Sequence, residues 1–400
     1  MSSLSIAHYF PFPRIRILRQ KVSADAGKAY LEAVPNKRFR PICHLCGKPA
    51  ARVHSQERRW VRDLDFGPAR VWIRCLYRKI LCPYCHQTPI EELGLFDPYL
   101  RVTKRLARYI FGLSRIMTIQ EVSRHLGLDW KTVKAIDQKF LEEKFGQTDY
   151  RGLRILAVDE VSIRKGHRYL TVVLDYETGR VVWVGEDRKA RTLKRFFSGM
   201  SREQRQKLEA VVMDMWDPYI VAVRTKVPHV KIVFDLFHVV AQFSRIIDKV
   251  RNSEYRKASK ANKAVFKGAK YLLLRNRTNI RRFKDRRHLE ALLRLNKVIN
   301  AVLILKDKLK HLWTYRSRTW ADKAIDEWCA LAKAVNHLAV RKFARTLERY
   351  RYGILNHCDY PIHTGRLEGV NNKIKVIKRR AYGFHDFRYF SLKIIQAFAN

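Results

Sequence analysis

The chain has 400 residues, of which 82 are lysine or arginine and 37 are aspartate or glutamate, so its formal net charge is +45. Hydrophobic residues make up 47% of the chain, which is enough to bury a sizeable core and excludes a disordered basic tail. Such a charge repels itself unless a polyanion neutralises it, which favours nucleic acid as the partner over an anionic membrane surface.

No apolar run approaches the roughly 18 residues that span a bilayer, and the N-terminal segment lacks the long apolar stretch of a signal peptide. We therefore expect a cytoplasmic protein, associated with the nucleoid when it is bound to DNA. Seven cysteines are an odd number, which argues against a disulfide framework in a reducing compartment.

Two C-x-x-C pairs lie in the first 95 residues. Cys43 and Cys46 form one pair, and Cys82 and Cys85 form the other. Two such pairs offer four thiolates to one tetrahedral ion, and the strand-like segment 69–80 would carry the second pair to the first. We predict a small zinc-binding domain with four cysteine ligands over residues 1–95.

The cysteine pattern also has other interpretations. The four cysteines could be separately buried, or the neighbouring His44 or His86 could replace one of them as a ligand. Cys75 lies in the middle of a predicted strand and is expected in the core, and Cys329 and Cys358 are interpreted as packing residues.

The segment TIQEVSRHLGLDWKTVKAIDQKF has the spacing of a helix-turn-helix. Ser123 is small where the helices would cross, and Gly127 stands at the turn. Asp129 is placed to cap the second helix, and residues 101–113 predict a supporting helix. We interpret residues 96–148 as a DNA-binding domain rather than an ordinary helical hairpin. The residues that its second helix would present to DNA include Trp130, Lys131, Thr132 and Lys134.

After residue 150 the pattern changes to β. Short apolar runs end in Asp159, Asp214 and Asp235, with a hairpin turn predicted at 177–179 and a helix at 189–208. Three consecutive strands followed by alternating helix and strand are the order of an RNase H-like domain. In such a sheet Asp159 lies on the central strand, beside Asp214.

Two adjacent carboxylates repel each other unless a cation bridges them, and magnesium accepts oxygen ligands of this kind. A third carboxylate is expected on a later helix. In HTGRLEGVNNKIKVIKRRAYGF, apolar residues at steps of three and four predict a buried stripe, Thr364 can cap the helix, and Glu368 lies on another face. Glu368 is therefore the candidate third carboxylate. The candidates for contact with DNA phosphates on this helix are Arg366, Asn372, Lys375 and Arg379.

Each carboxylate has a competitor. Glu160 adjoins Asp159, but successive strand residues point to opposite faces, so only one of them faces the metal, and we prefer Asp159. Asp217 is interpreted as the start of a helix or turn, and Asp175 and Asp187 lie in and beyond the next strands. Two interpretations stay open for the segment RKGHRYL, contact with DNA or an exposed cationic turn. Its candidate residues are Arg164, Lys165 and His167.

Together these motifs resemble bacterial insertion-sequence transposases of the DDE type, in the ISL3 family. The resemblance spans nearly the whole chain and is carried by CHLC, CPYC, the helix-turn-helix, VDEVSIRKGHRYLTVVLD, VVMDMWDPYI, IVFDLFHVV and TGRLEGVNNKIKVIKRRAYGF. It implies a catalytic triad of Asp159, Asp214 and Glu368 that binds Mg²⁺ or Mn²⁺. Asp235 and His238 resemble the D-x-x-H signature of several transposase families and would have auxiliary roles, although His238 could also be a buried, hydrogen-bonded histidine.

The expected fold class is multidomain α+β. It comprises the small zinc-binding domain, the helix-turn-helix, and an RNase H-like α/β catalytic core interrupted by an all-α insertion. We expect the first part of the core at 149–240, the insertion at 241–355, and the last part of the core, with the Glu-bearing helix, at 356–400.

The insertion is helical and basic. Its cations either form a solvated face or track the DNA backbone, and we favour the second interpretation. Trp313, Tyr315 and Trp320 could stack on an unpaired base, or they could pack in the core.

The resemblance implies an enzyme that binds the terminal inverted repeats of an insertion sequence and catalyses metal-dependent DNA cleavage and strand transfer. Its partners would be double-stranded DNA, both repeat ends and target, and at least a second copy of itself, with no membrane partner. One alternative is a catalytically inactive, transposase-derived DNA-binding regulator, which would not need three carboxylates. Another is an RNase H-like structure-selective nuclease, which would not need a sequence-reading helix-turn-helix.

Overall fold

The structure of the protein is a computed structural model that describes residues 9–10, 12–164, 168–362 and 365–399. The chain divides into two compact units, Met1–Glu143 and Lys144–Asn400. In the described part of the chain, no helix has the combination of length and apolar character that a membrane crossing requires.

The first unit contains a four-stranded sheet. Its strands are β1 Ile15–Val22, β2 Lys28–Pro35, β3 Arg52–Arg62 and β4 Arg70–Leu81. The order is β1-β2-β4-β3, with β2 and β4 parallel and the outer pairs antiparallel. Alternate residues of β2 and β4 are buried, so one face of the sheet covers a core that includes Leu31, Ile73 and Leu95.

Three helices follow the sheet, and each begins at a capping side chain. They are α1 Lys104–Ile116, α2 Ile119–Leu126 and α3 Trp130–Phe145. Their capping residues are Thr103, Thr118 and Asp129. Gly127 ends α2 with a φ of 62°, which is the left-handed conformation predicted for the turn. The side chains that lock the three helices together include Leu106, Ile110, Val122, Leu126, Val133 and Ile136.

The second unit contains a five-stranded sheet. Its strands are β5 Ile155–Arg164, β6 Arg168–Asp175, β7 Val181–Glu186, β8 Ala210–Met213 and β9 Lys231–Phe234. The order is β7-β6-β5-β8-β9, in which β7, β6 and β5 are antiparallel neighbours and β5, β8 and β9 are parallel. This is the strand order predicted for the RNase H-like core, with β5 at the centre.

The remaining helices belong to this second unit. They are α4 Ala190–Ser198, α5 Arg202–Gln206, α6 Asp217–Lys226, α7 Leu236–Lys257, α8 Lys263–Phe266, α9 Ala269–Leu274, α10 Phe283–Leu295, α11 Lys297–His311, α12 Arg318–Ala334, α13 Leu338–Arg349, α14 Arg351–Leu355, α15 Gly365–Arg380 and α16 Phe387–Ala397.

The two faces of this sheet pack against different helices. Leu156 and Val158 of β5 join a core with α4, α6 and α7, whereas Ala157 and Val161 join a core with α15 and α16. The alternation of side chains along β5 therefore decides which helix each residue of this strand meets. Helices α7 to α14 form an all-α region, and its aromatic centre includes contacts of Trp328 with Phe243 of α7 and Phe343 of α13.

The helix predicted over 189–208 is wrong as a single element, because the structure divides it into α4 and α5. Ser201 begins the second helix with a capping box. Its hydroxyl oxygen accepts from the Gln204 N–H at 3.1 Å, and the Gln204 side chain accepts from the Ser201 N–H at 2.8 Å. The S-x-x-Q spacing in the sequence is a helix start, and it follows Gly199, which ends α4.

Candidate active site and DNA-binding surfaces

Three aspartates lie in a row at the carboxyl ends of the parallel strands. The register of β5 and β8 pairs Ala157 with Val212, so two residues further on it sets Asp159 beside Asp214. The register of β8 and β9 sets Asp235 next in the same row. Asp159 and Asp235 are buried, and Asp214 is half-buried.

His238 lies against all three carboxylates. Its Nδ1 is 3.4 Å from Asp214 Oδ2, and its Nε2 is 3.9 Å from Asp159 Oδ1 and 3.8 Å from Asp235 Oδ2. Asp235 also caps α7, because its Oδ1 accepts from the Phe237 N–H at 2.7 Å. The D-x-x-H spacing thus combines a helix cap with an imidazole one turn later that faces the aspartates.

The carboxylates and the imidazole shift each other's protonation. Burial opposes a charge on His238, but the carboxylates of Asp214, Asp159 and Asp235 outweigh burial and raise the pKa of His238 to about 9. Burial raises the pKa of Asp235 to about 6 and also raises the pKa of Asp159. Burial likewise opposes charge on Asp214, but its hydrogen bond with His238 prevails and lowers its pKa. Three carboxylates around one imidazole form a site that favours additional positive charge.

Helix α15 brings another polar group to this site. The Asn371 Nδ2 donates a hydrogen bond to Asp159 Oδ2 at 2.6 Å. Glu368 is exposed and lies three residues earlier, so its side chain is a neighbour of Asn371 on the helix surface. Lys378 also donates to the carbonyl of Ile163 at the far end of β5. The predicted buried stripe of α15 is confirmed for Leu367, Val370 and Ile374, with Ile377 packed against it.

The structure gathers Asp159, Asp214 and Asp235 around His238, but it does not close Glu368 onto them. A group that could hold a metal ion comprises three or more His, Cys, Asp or Glu side chains whose ligand atoms all lie within 4.8 Å of one another. Among the described residues the four cysteines form such a group, and Glu368 does not form one with the aspartates. Glu368 is instead carried by α15, whose Asn371 is bonded to Asp159.

The competing carboxylates have other contacts. Glu160 pairs with Arg188 at 3.0 Å. Asp175 accepts hydrogen bonds in the turn between β6 and β7. Asp217 is the first residue of α6, as predicted, and lies 3.2 Å from Arg349.

The DNA-contact candidates of α15 are placed in part. Asn372, Lys375 and Arg379 are exposed on the helix. The side chain of Arg366 lies outside the described part of the chain. The same holds for Thr364, Lys165, His167 and the side chain of Arg164.

The four cysteines converge as predicted. Cys43 Sγ is 3.7 Å from Cys85 Sγ, Cys46 Sγ is 3.6 Å from Cys82 Sγ, and all four sulfurs lie within 4.8 Å of one another. Tetrahedral zinc with Zn–S bonds of about 2.3 Å separates its sulfur ligands by about 3.8 Å. The spacing of the cysteines therefore fits one structural zinc ion.

The two cysteine turns are built alike. The Gly47 N–H donates to the Cys43 carbonyl at 2.9 Å, and the His86 N–H donates to the Cys82 carbonyl at 3.1 Å. Gly47 and His86 both have positive φ, 71° and 53° respectively. His86 thus takes the backbone position that glycine takes in the first turn.

The alternative ligands near the cluster have other environments. The His44 Nδ1 forms a 2.7 Å hydrogen bond with the carbonyl of Ile90. Cys75 is buried in the middle of β4, where burial raises the pKa of its thiol to about 12. Neither side chain belongs to the set of four converging sulfurs.

The predicted recognition helix begins at an open surface. Trp130 and Lys131 are exposed in the first turn of α3, and Thr132 and Lys134 are half-buried. The Asp129 Oδ1 accepts from the Lys131 and Thr132 N–H groups at 2.9 and 3.3 Å, which confirms it as the cap. Side chains in this first turn are the ones that such a motif presents to a DNA groove.

In the helical insertion the cations are largely exposed, but of its three neighbouring aromatic residues only Trp320 is. Trp313 is buried and Tyr315 packs against the core, whereas Trp320 is 62% exposed. The basic segment 275–287 is mostly exposed and includes Arg281 and Arg282. Trp313 is therefore a packing residue.

Comparisons with known proteins agree with this architecture. A transposase family model, the DDE domain of ISL3 transposases, matches residues 156–394. A second model, the helix-turn-helix domain of transposase family ISL3, matches residues 91–141. The first match alone covers more than half of the chain.

Two curated relatives match over most of their length. The chain is 38% identical over 360 residues to the transposase for insertion sequence element IS1001 of Bordetella parapertussis, covering 89% of this chain and 88% of the relative. It is 23% identical over 388 residues to the transposase for insertion sequence element IS1557 of Mycobacterium tuberculosis, covering 90% and 86% respectively.

A helix-turn-helix, a β7-β6-β5-β8-β9 sheet and aspartates at the ends of its parallel strands define a DNA transposase with an RNase H-like core. The matches then give the family. The chain belongs to the ISL3 family of insertion-sequence transposases. Membership implies DNA binding and the use of a divalent metal ion.

Proposed function

We propose that Asp159, Asp214 and Glu368 bind Mg²⁺, or Mn²⁺ in its place, and that this site cuts and joins DNA at the terminal inverted repeats of an insertion sequence. The observation that carries the proposal is the strand register, which aligns Asp159 and Asp214 on neighbouring parallel strands. When bound, the divalent metal supplies an activated water or 3′-hydroxyl and stabilises the leaving oxygen.

Asp159 and Asp214 are the fixed part of this proposed site, because Asp159 lies on β5 and Asp214 directly follows β8. Glu368 is the adjustable part. It is exposed on α15 and stands one turn before Asn371, which is bonded to Asp159. In the proposal, the Glu368 side chain turns towards the aspartates when the metal binds, while the apolar stripe of α15 stays buried.

Asp235 and His238 have auxiliary roles in the proposal. Asp235 holds the start of α7, and His238 bridges the two carboxylates, with Nδ1 towards Asp214 and Nε2 towards Asp159. These two residues orient the site and do not themselves transfer a phosphoryl group.

DNA contacts come from several surfaces in this proposal. The zinc domain 1–95 and the helix-turn-helix domain 96–148 recognise the repeat, the latter through Trp130, Lys131, Thr132 and Lys134. Arg366, Asn372, Lys375 and Arg379 bind phosphates near the core segments 149–240 and 356–400, and the insertion 241–355 follows the backbone. Because two DNA ends must be joined, the active form is a homodimer or a larger assembly.

The triad is tested by Glu368→Gln, which keeps the shape of the side chain and removes its charge. The matched control is Glu203→Gln, an exposed glutamate on α5. We expect Glu368→Gln to bind a repeat duplex as the wild type does but to lose magnesium-dependent cleavage and strand transfer. Cleavage that survives in Glu368→Gln would exclude Glu368 as the third ligand, and wild-type binding without cleavage would favour the regulator.

The cysteine cluster is tested by metal analysis of the full chain. We expect one zinc ion per chain in the wild type and none after Cys46→Ser with Cys82→Ser. The control is Cys358→Ser, which removes a half-buried cysteine far along the chain. A zinc content that the double substitution leaves unchanged would refute the assignment.

A further inference from the structure

A cavity of about 600 Å³ opens where β6, β7 and the start of α6 meet. Its walls include aromatic, aliphatic and cationic side chains, and the proposed mechanism uses none of them. The lining residues that matter here are Tyr169, Arg188, Lys189, Trp216, Pro218 and Val221.

The centre of one wall is a stack of two rings and a guanidinium group. Arg188 lies 4.0 Å from the ring centroid of Tyr169 and 4.6 Å from that of Trp216. The Trp216 Nε1 donates to the Arg188 carbonyl at 3.1 Å, and the Arg188 guanidinium lies 3.0 Å from Glu160. The stack is therefore held in place at both ends before any ligand arrives.

The acidic residues at the cavity are already engaged. The Asp187 Oδ1 accepts from the Lys189 N–H at 2.8 Å and also from the Thr192 hydroxyl. Asp217 accepts from the Tyr350 hydroxyl at 2.8 Å and pairs with Arg349. Lys189 is exposed at the rim, so the opening favours an anionic ligand such as a phosphate.

The cavity adjoins the row of aspartates. Trp216 follows Asp214 by two residues, and its N–H donates to the Asp214 carbonyl at 2.7 Å. Glu160, the partner of Arg188, follows Asp159 directly on β5, so its side chain points to the opposite face of the sheet. The cavity is therefore linked to the aspartates through Trp216, which lies two residues after Asp214.

We propose that this cavity receives an unpaired nucleobase of the DNA strand beside the cleaved phosphate. Flat aromatic and guanidinium surfaces stack on any base, and Lys189 at the rim suits the attached phosphate. A base in a duplex is already stacked, so it must rotate out of the helix to enter. The inference rests on the proposed DNA cleavage at Asp159 and Asp214.

The first test uses the wild-type chain, so it does not depend on the folding of a variant. Repeat duplexes carry 5-iododeoxyuridine at single positions on either side of the cleavage point, and calcium replaces magnesium. We expect irradiation to cross-link one position to a peptide that contains Tyr169 or Trp216. Cross-links confined to other peptides would overturn the proposal.

The second test is substrate rescue. We expect Trp216→Ala to cleave the intact duplex about 5- to 100-fold more slowly, the loss of one base–aromatic stack. An abasic site at the cross-linked position should restore much of this rate, because no base then needs a pocket. Trp216→Phe should keep most of the activity, and Tyr271→Ala, which removes an exposed ring on α9, serves as the control. Wild-type rates in Trp216→Ala, or a defect that no abasic position relieves, would contradict the proposal.

The outcomes also distinguish the two proposals. If the wild type cleaves and neither test succeeds, the base pocket is wrong and the triad stands. If the wild type does not cleave but the cross-link maps to Tyr169 or Trp216, the pocket stands and the catalytic proposal fails. Labelling of Trp216 by 8-azido-ATP in the absence of DNA, together with loss of the DNA cross-link when ATP is added, would reassign the cavity to a free nucleotide.

Discussion

Asp159 is a buried carboxylate whose second oxygen has a hydrogen-bond donor on a helix more than two hundred residues away in sequence. That donor, Asn371, fixes the orientation of Asp159 at 2.6 Å. A hydrogen bond to a charged group contributes about 1.5–3 kcal/mol. Asn371 therefore acts through Asp159 as a positioning residue.

Asn371→Ala is expected to slow single-turnover cleavage by about 10-fold or more, because Asp159 loses its fixed orientation. The affinity for repeat DNA should change little. Asn372→Ala is the matched control. It changes the next, exposed residue and should weaken DNA binding without slowing cleavage at saturating DNA. Equal cleavage by Asn371→Ala and the wild type would show that the bond has no catalytic role.

Lys306 is a buried cation in the insertion. Its Nζ donates to the carbonyls of Leu273 and Arg275, both at 2.6 Å, and burial lowers its pKa to about 8 from 10.5. Between these two values the unfolded lysine holds a proton that the folded lysine has lost. The free energy of unfolding contributed by this residue therefore rises with pH from about 8 to 10.5.

Urea unfolding at pH 7, 8, 9 and 10 measures this contribution. The wild type should gain stability relative to Lys306→Met across pH 8 to 10, whereas between pH 7 and 8 the difference should be nearly constant. Lys308→Met, an exposed neighbour on α11, should keep the wild-type pH dependence. If the free energies of unfolding of the wild type and Lys306→Met changed with pH in parallel, the pKa of the buried lysine would not be lowered in the folded state.

At the scale of elements, the helix-turn-helix depends on the backbone of Gly127. This residue has a φ of 62°, and a Cβ there would lie 2.6 Å from the guanidinium group of Arg70. Left-handed conformation costs an L-residue about 1–2 kcal/mol. The flexible Arg70 side chain can move aside. The cost of the left-handed backbone therefore determines how much a substitution at Gly127 lowers stability.

Gly127→Ala should lower the melting temperature of the full chain and weaken binding to repeat DNA. The control is Gly112→Ala in α1, where the glycine is exposed and a Cβ meets nothing within 4 Å. There alanine should raise stability by about 0.5–1 kcal/mol, since glycine is a poor helix former. If both substitutions changed the melting temperature in the same direction, the left-handed backbone of Gly127 would not explain the result.

Sequence patterns predicted those elements whose signals are local. Apolar alternation located β4, and Asp129 located the start of α3. The single helix over 189–208 was wrong because Gly199, which ends α4, and the Ser201 capping box, which begins α5, were not taken as a break.

Contacts between distant segments had no such local signal. Asn371 was not among the candidate site residues, because its bond to Asp159 requires the packing of α15 on β5. The Tyr169–Arg188–Trp216 stack joins three separate segments, so no spacing in the sequence reveals it. His86 was considered as a ligand because it adjoins Cys85, and its left-handed backbone, which is uncommon outside glycine, had no sequence signal.

At the scale of the whole molecule, the charge of +45 predicts a strong dependence of DNA binding on salt. If six to ten phosphates are neutralised, affinity should fall by about 10³- to 10⁵-fold between 50 and 200 mM salt. Fluorescence anisotropy with a labelled repeat duplex gives the affinity at each salt concentration, and hence the slope of log affinity against log salt concentration.

The insertion can be tested through the same slope. The double substitution Arg281→Ala with Arg282→Ala should reduce the magnitude of this salt slope by about 2, one for each lost phosphate contact. Lys333→Ala is the control in the same region, because Lys333 already pairs with Glu348 at 2.6 Å. An unchanged slope in the double variant would leave the basic segment as a solvated surface.

The late position of α15 has a consequence for the order in which the protein is made. The compact unit Met1–Glu143 leaves the ribosome first, and α15, which begins at residue 365, leaves almost last. At about 5–20 residues per second, the rest of the chain takes about 10 to 50 s to synthesise. If the first unit recognises the repeat as proposed, the nascent polypeptide can bind a DNA end during that interval, while Asp159 still lacks Asn371. A message with a premature stop before residue 365 would therefore encode a dominant-negative competitor, which occupies the ends of the element without cutting them.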